Sequence, residues 1–500
     1  MKRKGLWIFY GTAALLLIIF TGTEFIKTLA QKNSAGHIQG DNVEELKAQD
    51  AENYKEFVDT IEGTATNMLF PEYWLTEKTD EVLFSQDEIE YFNNNNPSFV
   101  SYYAESKGRN YKLFMDNLDE TIDGEAVVKL IDPELIKEYN DENSPTYIDG
   151  MLPGDDYWDN LEKNLNIDGV EDTVVPEYAI CVDRTMARVM PSDEFAAKDP
   201  DEIYFDDFIS AEVMPCDGVA IIHESRDGEW CYVISGSFCG WVRKEKLAVC
   251  KNREEWIAAC KPDEFLLVTG SEIVLESTPT KTLSSGLILP MGTRLRLSAD
   301  YDEQKSHRES YGCYRVDIPC RDADGKLYFE QSLIPVSKDV HVGFLNMTSE
   351  SVIRQAFKFL GKIYGYGGSL CSNDCSGFVR QVYSCYGFDL PRNARAIAER
   401  ADIGSIDCEK MTMDKRKTIF SQMNPGLLAY MDGHLMMYLG MKDDMPYVIS
   451  SCATCIEPGE DSADLTEAYC VFVSGLDLKR KSGKTWLEDL KFILSPDYRG

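Results

Sequence analysis

At 500 residues the chain is too long for one hydrophobic core and implies several domains. Its 44% apolar and 27% charged residues are ordinary globular composition, which excludes a disordered chain. With 51 basic against 85 acidic residues the net charge is −34, which excludes nucleic-acid binding, since that needs basic patches to displace counterions.

Residues 1–30 open on Lys2, Arg3 and Lys4, followed by the apolar run LWIFYGTAALLLIIF. This pattern predicts a signal peptide or a membrane anchor, with the rest of the chain outside the cytoplasm. Residues 31–60 are polar and acidic and predict a linker. Residues 61–173 read as an N-terminal region with aromatic anchors and helical periodicity. Within it Ser85 followed by Glu88 predicts a capping box, with Ile89 and Phe92 on one helix face and NNNNP as the stop.

Residues 174–255 change to short β-like runs, YAICVD, GVAIIHES, WCYVIS and GWVRKEKLAV, divided by tight turns. A similar set fills 256–340, so two consecutive small all-β domains are expected. Residues 341–480 read differently. SVIRQAFKFLGKIYGYGG predicts an amphipathic helix ending at glycines, and CSGFVRQVYSCYGF a second helix beginning at Cys375. GLLAYM, HLMMYLGMK, PYVISSCA and AYCVFVSGL follow as strands, giving an α+β domain. Residues 481–500 read as a C-terminal tail.

Cys375 is the candidate nucleophile. A helix N-terminus stabilises a thiolate through its free N–H groups and dipole. Gly365, Gly367 and Gly368 just before it would let the backbone run close to a substrate. The partner base is His434, the only one of five histidines in the strand part of that domain. The fifteen cysteines are an odd number, so at least one thiol stays unpaired within the chain. The sequence does not fix disulfide connectivity, but a Cys452–Cys455 disulfide, or one from Cys371 to that loop, is favoured over a metal site. A zinc site of Cys371, Cys375, Cys452 and Cys455 is the alternative.

The elements YGYGG, NDCSGFVRQVY, LPRNA and GHLMMYLG, within residues 352–455, resemble the NlpC family of papain-like cysteine peptidases, bacterial cell-wall endopeptidases. Upstream, DRTMARVMP, VAIIHESRDGEWCYV and GWVRKEKLA resemble the first of two SH3-like modules in one subgroup. YWLTEKTDEVLFSQDEIEYFN resembles that subgroup's N-terminal segment. The resemblance implies a papain-like catalytic domain preceded by two SH3-like barrels and a helical segment. It implies hydrolysis of peptidoglycan stem peptides at the γ-D-glutamyl–diamino acid bond, without metal or cofactor. By resemblance Cys375 is the nucleophile and His434 the general base. Asp374 and Ser376 contact the stem peptide, with Asp374 suited either to a free amino terminus or to capping the helix. Tyr364 contributes to an oxyanion hole.

Two positions depart from the family pattern. Tyr366 stands where tryptophan is usual. Ser450 stands at the third catalytic position, where a polar residue, often histidine, orients the imidazole. Ser450 or Ser451 serves there, or another group replaces it, or activity is reduced. A catalytically weak or inactive cell-wall binding homologue is therefore the competing expectation.

Overall fold

The computed structural model describes residues 55–495 and a few positions from 47 to 53, apart from 77–78, 95–114, 116–117, 280–281, 303–306, 401–403 and 461–463. The expected signal or anchor, residues 1–30, and most of the expected linker lie outside the described residues. No described helix is long and apolar enough to cross a membrane. Residues from Asp59 onward form one compact unit.

The region expected as one piece, 61–173, divides between two cores. Its first part carries strand β1 (Val82–Phe84) and helix α1 (Gln86–Asn94). The capping box is present: the Glu88 N–H donates to Ser85 Oγ at 3.3 Å, and the Ser85 N–H to the Glu88 carboxylate at 2.8 Å. The cap fixes which side of α1 turns inward. Ile89 and Phe92 are buried, and Phe92 meets Phe388 edge-on at 5.1 Å, deep in the C-terminal domain. The second part, from Leu118 to Leu165, packs Ile131, Trp158 and Leu161 against the first β domain instead. Trp230, Trp241 and Trp256 anchor that core, each contributing roughly 1.5–3 kcal/mol by burial.

The first β domain is a seven-stranded antiparallel sheet whose edge strand β2 (Ile209–Val213) faces the C-terminal domain. The second is a five-stranded sheet with a two-stranded ribbon, around its own core of Leu266, Val268, Leu289, Val316 and Ile334.

The C-terminal domain begins with β3 (Met347–Thr348), which pairs with β1 and so ties the N-terminal segment to it. Helix α2 (Ser349–Phe357) packs against helix α3 (Cys375–Ser384), and α3 packs on a six-stranded sheet. In spatial order its strands are β4 (Ser405–Asp407), β9 (Leu490–Leu494), β5 (Leu428–Met431), β6 (His434–Lys442), β7 (Met445–Cys455) and β8 (Thr466–Gly475). The expected tail, 481–500, is corrected here. Trp486, Leu487, Leu490, Ile493 and Leu494 are buried, and β9 lies inside the sheet between β4 and β5. A five-residue strand behind a lysine-rich turn carries too little periodicity to be read alone.

Candidate active site

Asp374 caps α3, and Cys375 is the first helical residue. The cap places the sulfur at the helix N-terminus, as expected from the sequence. The Asp374 carboxylate is fully occupied within the protein. It accepts from the Gly377 N–H at 2.7 Å, the Ser376 hydroxyl at 3.0 Å and the Gly367 N–H at 3.1 Å. Arg392 adds a salt bridge at 2.5 Å and donates to Ser376 Oγ at 2.7 Å. Burial pushes the Asp374 carboxyl up, but Arg392 and the other donors overcome it and hold it below the usual carboxylate range. Asp374 and Ser376 therefore build the helix cap, and neither presents a free group to a peptide. Arg392 was visible in the LPR element, but nothing local in the sequence tied it to Asp374.

His434 opens β6 directly after the two-residue turn Asp432–Gly433, where Gly433 takes φ +79°. The turn aims its ring into a cavity of about 660 Å³ that Cys375 also lines. Nε2 of His434 lies 3.1 Å from Ser450 Oγ on β7. With Nε2–H donating to Ser450, Nδ1 is left free to take a proton. Ser451 does not share this position; its hydroxyl donates to the Asn373 carbonyl at 2.7 Å. Trp486 meets the His434 ring edge-on at 4.9 Å, a contact supplied by the segment expected to be a tail.

Burial pushes the Cys375 thiol up to about 12, and the Asp374 charge adds to this, against the N–H groups of Leu435 and Ser376 and the charge of Arg392. Burial likewise pushes His434 down to about 3, with Arg480 contributing in the same direction. The helix N-terminus is present, but desolvation outweighs it, and both shifts favour the neutral thiol and the neutral imidazole. Iodoacetamide is attacked only by the thiolate, which displaces iodide. Alkylation of Cys375 in the native protein should be slow at pH 6 and rise through the alkaline range, followed by mass spectrometry of the modified peptide. Fast labelling at pH 6 would show that a thiolate–imidazolium pair exists at rest.

The cavity wall comes partly from the first β domain. Phe205 lines it and packs on Tyr364 and Tyr366 at ring distances of 6.0 and 5.2 Å. Tyr204 stacks on Tyr469 of β8 at 3.6 Å. Tyr364 is buried beside Cys375, and burial raises its hydroxyl well above the ordinary tyrosine range, so it stays a donor. Gly367 and Gly368 adopt φ +63° and +101°, and a Cβ on them would overlap Ile209 and Glu212 of β2. These two glycines therefore admit the neighbouring domain's strand, where substrate approach had been expected. Glu212 in turn is ion-paired to Arg184, which donates to the Ser372 carbonyl at 2.9 Å.

The expected disulfides are corrected: all fifteen cysteines are free. Cys371 is exposed while Cys452 and Cys455 are buried on β7. Among the described residues no group of three or more His, Cys, Asp or Glu side chains is arranged to hold a metal ion.

Comparison with known proteins accounts for this arrangement. Residues 361–448 match the NlpC/P60 family, a span that contains both Cys375 and His434. The chain carries an NlpC/P60 domain. That family is one of cysteine peptidases. Residues 195–243, which include Phe205 and β2, match the SH3 domain of the SH3b1 type. The chain is 26% identical over 190 residues to a gamma-D-glutamyl-L-lysine dipeptidyl-peptidase of Bacillus subtilis, an alignment covering 35% of this chain. It spans about half the length of that relative, 54%. The fold is that of an NlpC/P60 endopeptidase from Photobacterium damselae subsp. piscicida, with a TM-score of 0.66 at 14% identity over 88% of this chain and 99% of the other. Ser450 lies two residues beyond the NlpC/P60 match.

Proposed function

We propose that the NlpC/P60 domain hydrolyses peptidoglycan stem peptides at the γ-D-glutamyl–diamino acid bond, with Cys375, His434 and Ser450 as its catalytic residues. The observation that carries this reading is His434, which shares a cavity with Cys375 and is held at Nε2 by Ser450. The Cys375 sulfur attacks the amide carbonyl as its proton passes to His434. The Cys375 N–H and the Tyr364 hydroxyl face the developing oxyanion. The imidazolium then protonates the departing amine, and water deprotonated by His434 releases the acyl group. The bond assignment draws on the Bacillus subtilis relative. Such an enzyme works at the cell envelope, and residues 1–30 would deliver or tether it there.

The test is release of the N-terminal dipeptide from purified muropeptides, compared between wild type and Cys375→Ala. No release from any stem peptide by wild type would leave the second reading, a cell-wall binding homologue. The observation behind that alternative is Ser450, an uncharged hydroxyl at the position that orients His434.

Ser450 supplies a hydrogen bond without a charge. Ser450→Ala should lower kcat roughly tenfold, about 1–2 kcal/mol, with KM little changed. An unchanged kcat would mean that Ser450 does not orient the ring.

A further inference from the structure

The cavity holding Cys375 and His434 has a rim of opposite charge to the rest of the molecule. Lys479, Arg480, Lys481 and Lys484 line it, against only Asp432 and Asp489. The chain as a whole carries −34, so an anionic peptide is repelled at a distance and gains locally at this patch. The four cations sit on a built turn. The Arg480 N–H donates to the Lys484 carbonyl at 2.9 Å and the Gly483 N–H to the Arg480 carbonyl at 2.8 Å, with Gly483 at φ +82°. Its base is pinned by reciprocal backbone bonds between Lys479 and Ile456 at 2.8 and 3.2 Å.

The side chains divide into two kinds. Lys479 donates to the Glu460 carbonyl at 2.8 Å. Arg480 donates to the Asp432 carbonyl at 2.7 Å, in the turn that presents His434, and lies 3.4 Å from Asp489. Lys484 lies 3.6 Å from Asp489. Lys481 is exposed at the tip and makes no hydrogen bond or ion pair among the described residues.

We propose that this turn is the subsite for a free carboxylate of the substrate, with Lys481 as its recruiting cation and Arg480 as its fixed one. The enzyme would then select anionic peptides over their amidated forms. This rests on the peptidase reading above. A carboxylate docked at Arg480 also offsets a positive charge beside His434, which favours the imidazolium that thiol attack creates. Selection therefore falls on kcat/KM as a whole.

The test uses three synthetic peptides containing the γ-D-glutamyl-lysine bond. One has both carboxylates free, one has the D-glutamyl α-carboxylate as amide, and one has the C-terminal carboxylate as amide. The amide that loses turnover identifies which carboxylate docks. Lys481→Glu should reduce the acid-over-amide ratio of kcat/KM roughly tenfold. Lys137→Glu, the same charge reversal outside the cavity lining, should leave that ratio at the wild-type value. Equal losses on acid and amide peptides, or a ratio unchanged by Lys481→Glu, would overturn the subsite. Calorimetry with Cys375→Ala separates the two readings. Lys481-dependent preference for the acid peptide, without turnover in wild type, supports the subsite and refutes the peptidase.

Discussion

Cys375→Ala is expected to abolish dipeptide release, a loss on the order of 10⁴-fold or more, while the protein stays folded. In the proposed reaction the sulfur forms the acyl intermediate, and the neighbouring Ser376 hydroxyl is held by Asp374 and Arg392. Cys452 lines the same cavity, but burial pushes its thiol far up and it lies on a strand, away from a helix N-terminus. It is not expected to rescue the reaction. The structural cost should be small, about 1 kcal/mol, because alanine removes one buried atom from a position that remains helical. Product release by mass spectrometry and a thermal melt together make the measurement. Residual release within tenfold of wild type would exclude Cys375 as the nucleophile.

The largest stability effect is expected at Arg392. Arg392→Met leaves the Asp374 carboxylate buried without its counter-charge, which should cost about 3–5 kcal/mol in urea denaturation. The remaining donors, Gly377, Ser376 and Gly367, satisfy hydrogen bonds without supplying a full charge. The double variant Asp374→Asn with Arg392→Met removes both charges and should recover part of that loss, giving a clear coupling energy. Activity should fall in the single variant as well, because the cap sets the first turn of α3 and with it the sulfur. If Arg392→Met costs less than about 1 kcal/mol, Asp374 is not held by Arg392 in solution. The carboxylate would then be free for the amino-terminus role that the family resemblance implied.

What the sequence determined by itself is local. Asp374 caps α3 because its side chain reaches the N–H of Gly377 three residues on. Asp432–Gly433 turns the chain because glycine tolerates positive φ, and this delivers His434 to the first position of β6. Ser85 and Glu88 cap α1 across the same short reach. The helix start at Cys375 and the strand start at His434 were therefore legible from neighbouring residues and their spacing.

The tertiary structure decided everything that depends on distant partners. Arg392 reaches Asp374 across 18 positions, and Ser450 rather than Ser451 reaches His434 across 16. Adjacent serines on a strand point to opposite faces, so the choice between them waits on the register and rotation of β7. Trp486 joins the site only because β9 enters the sheet between β4 and β5. The roles of Gly367 and Gly368 depend on where β2 of another domain docks. Above all, the direction in which Cys375 and His434 are shifted follows from burial. Desolvation sums over every atom that packs around a group, and no local pattern encodes it.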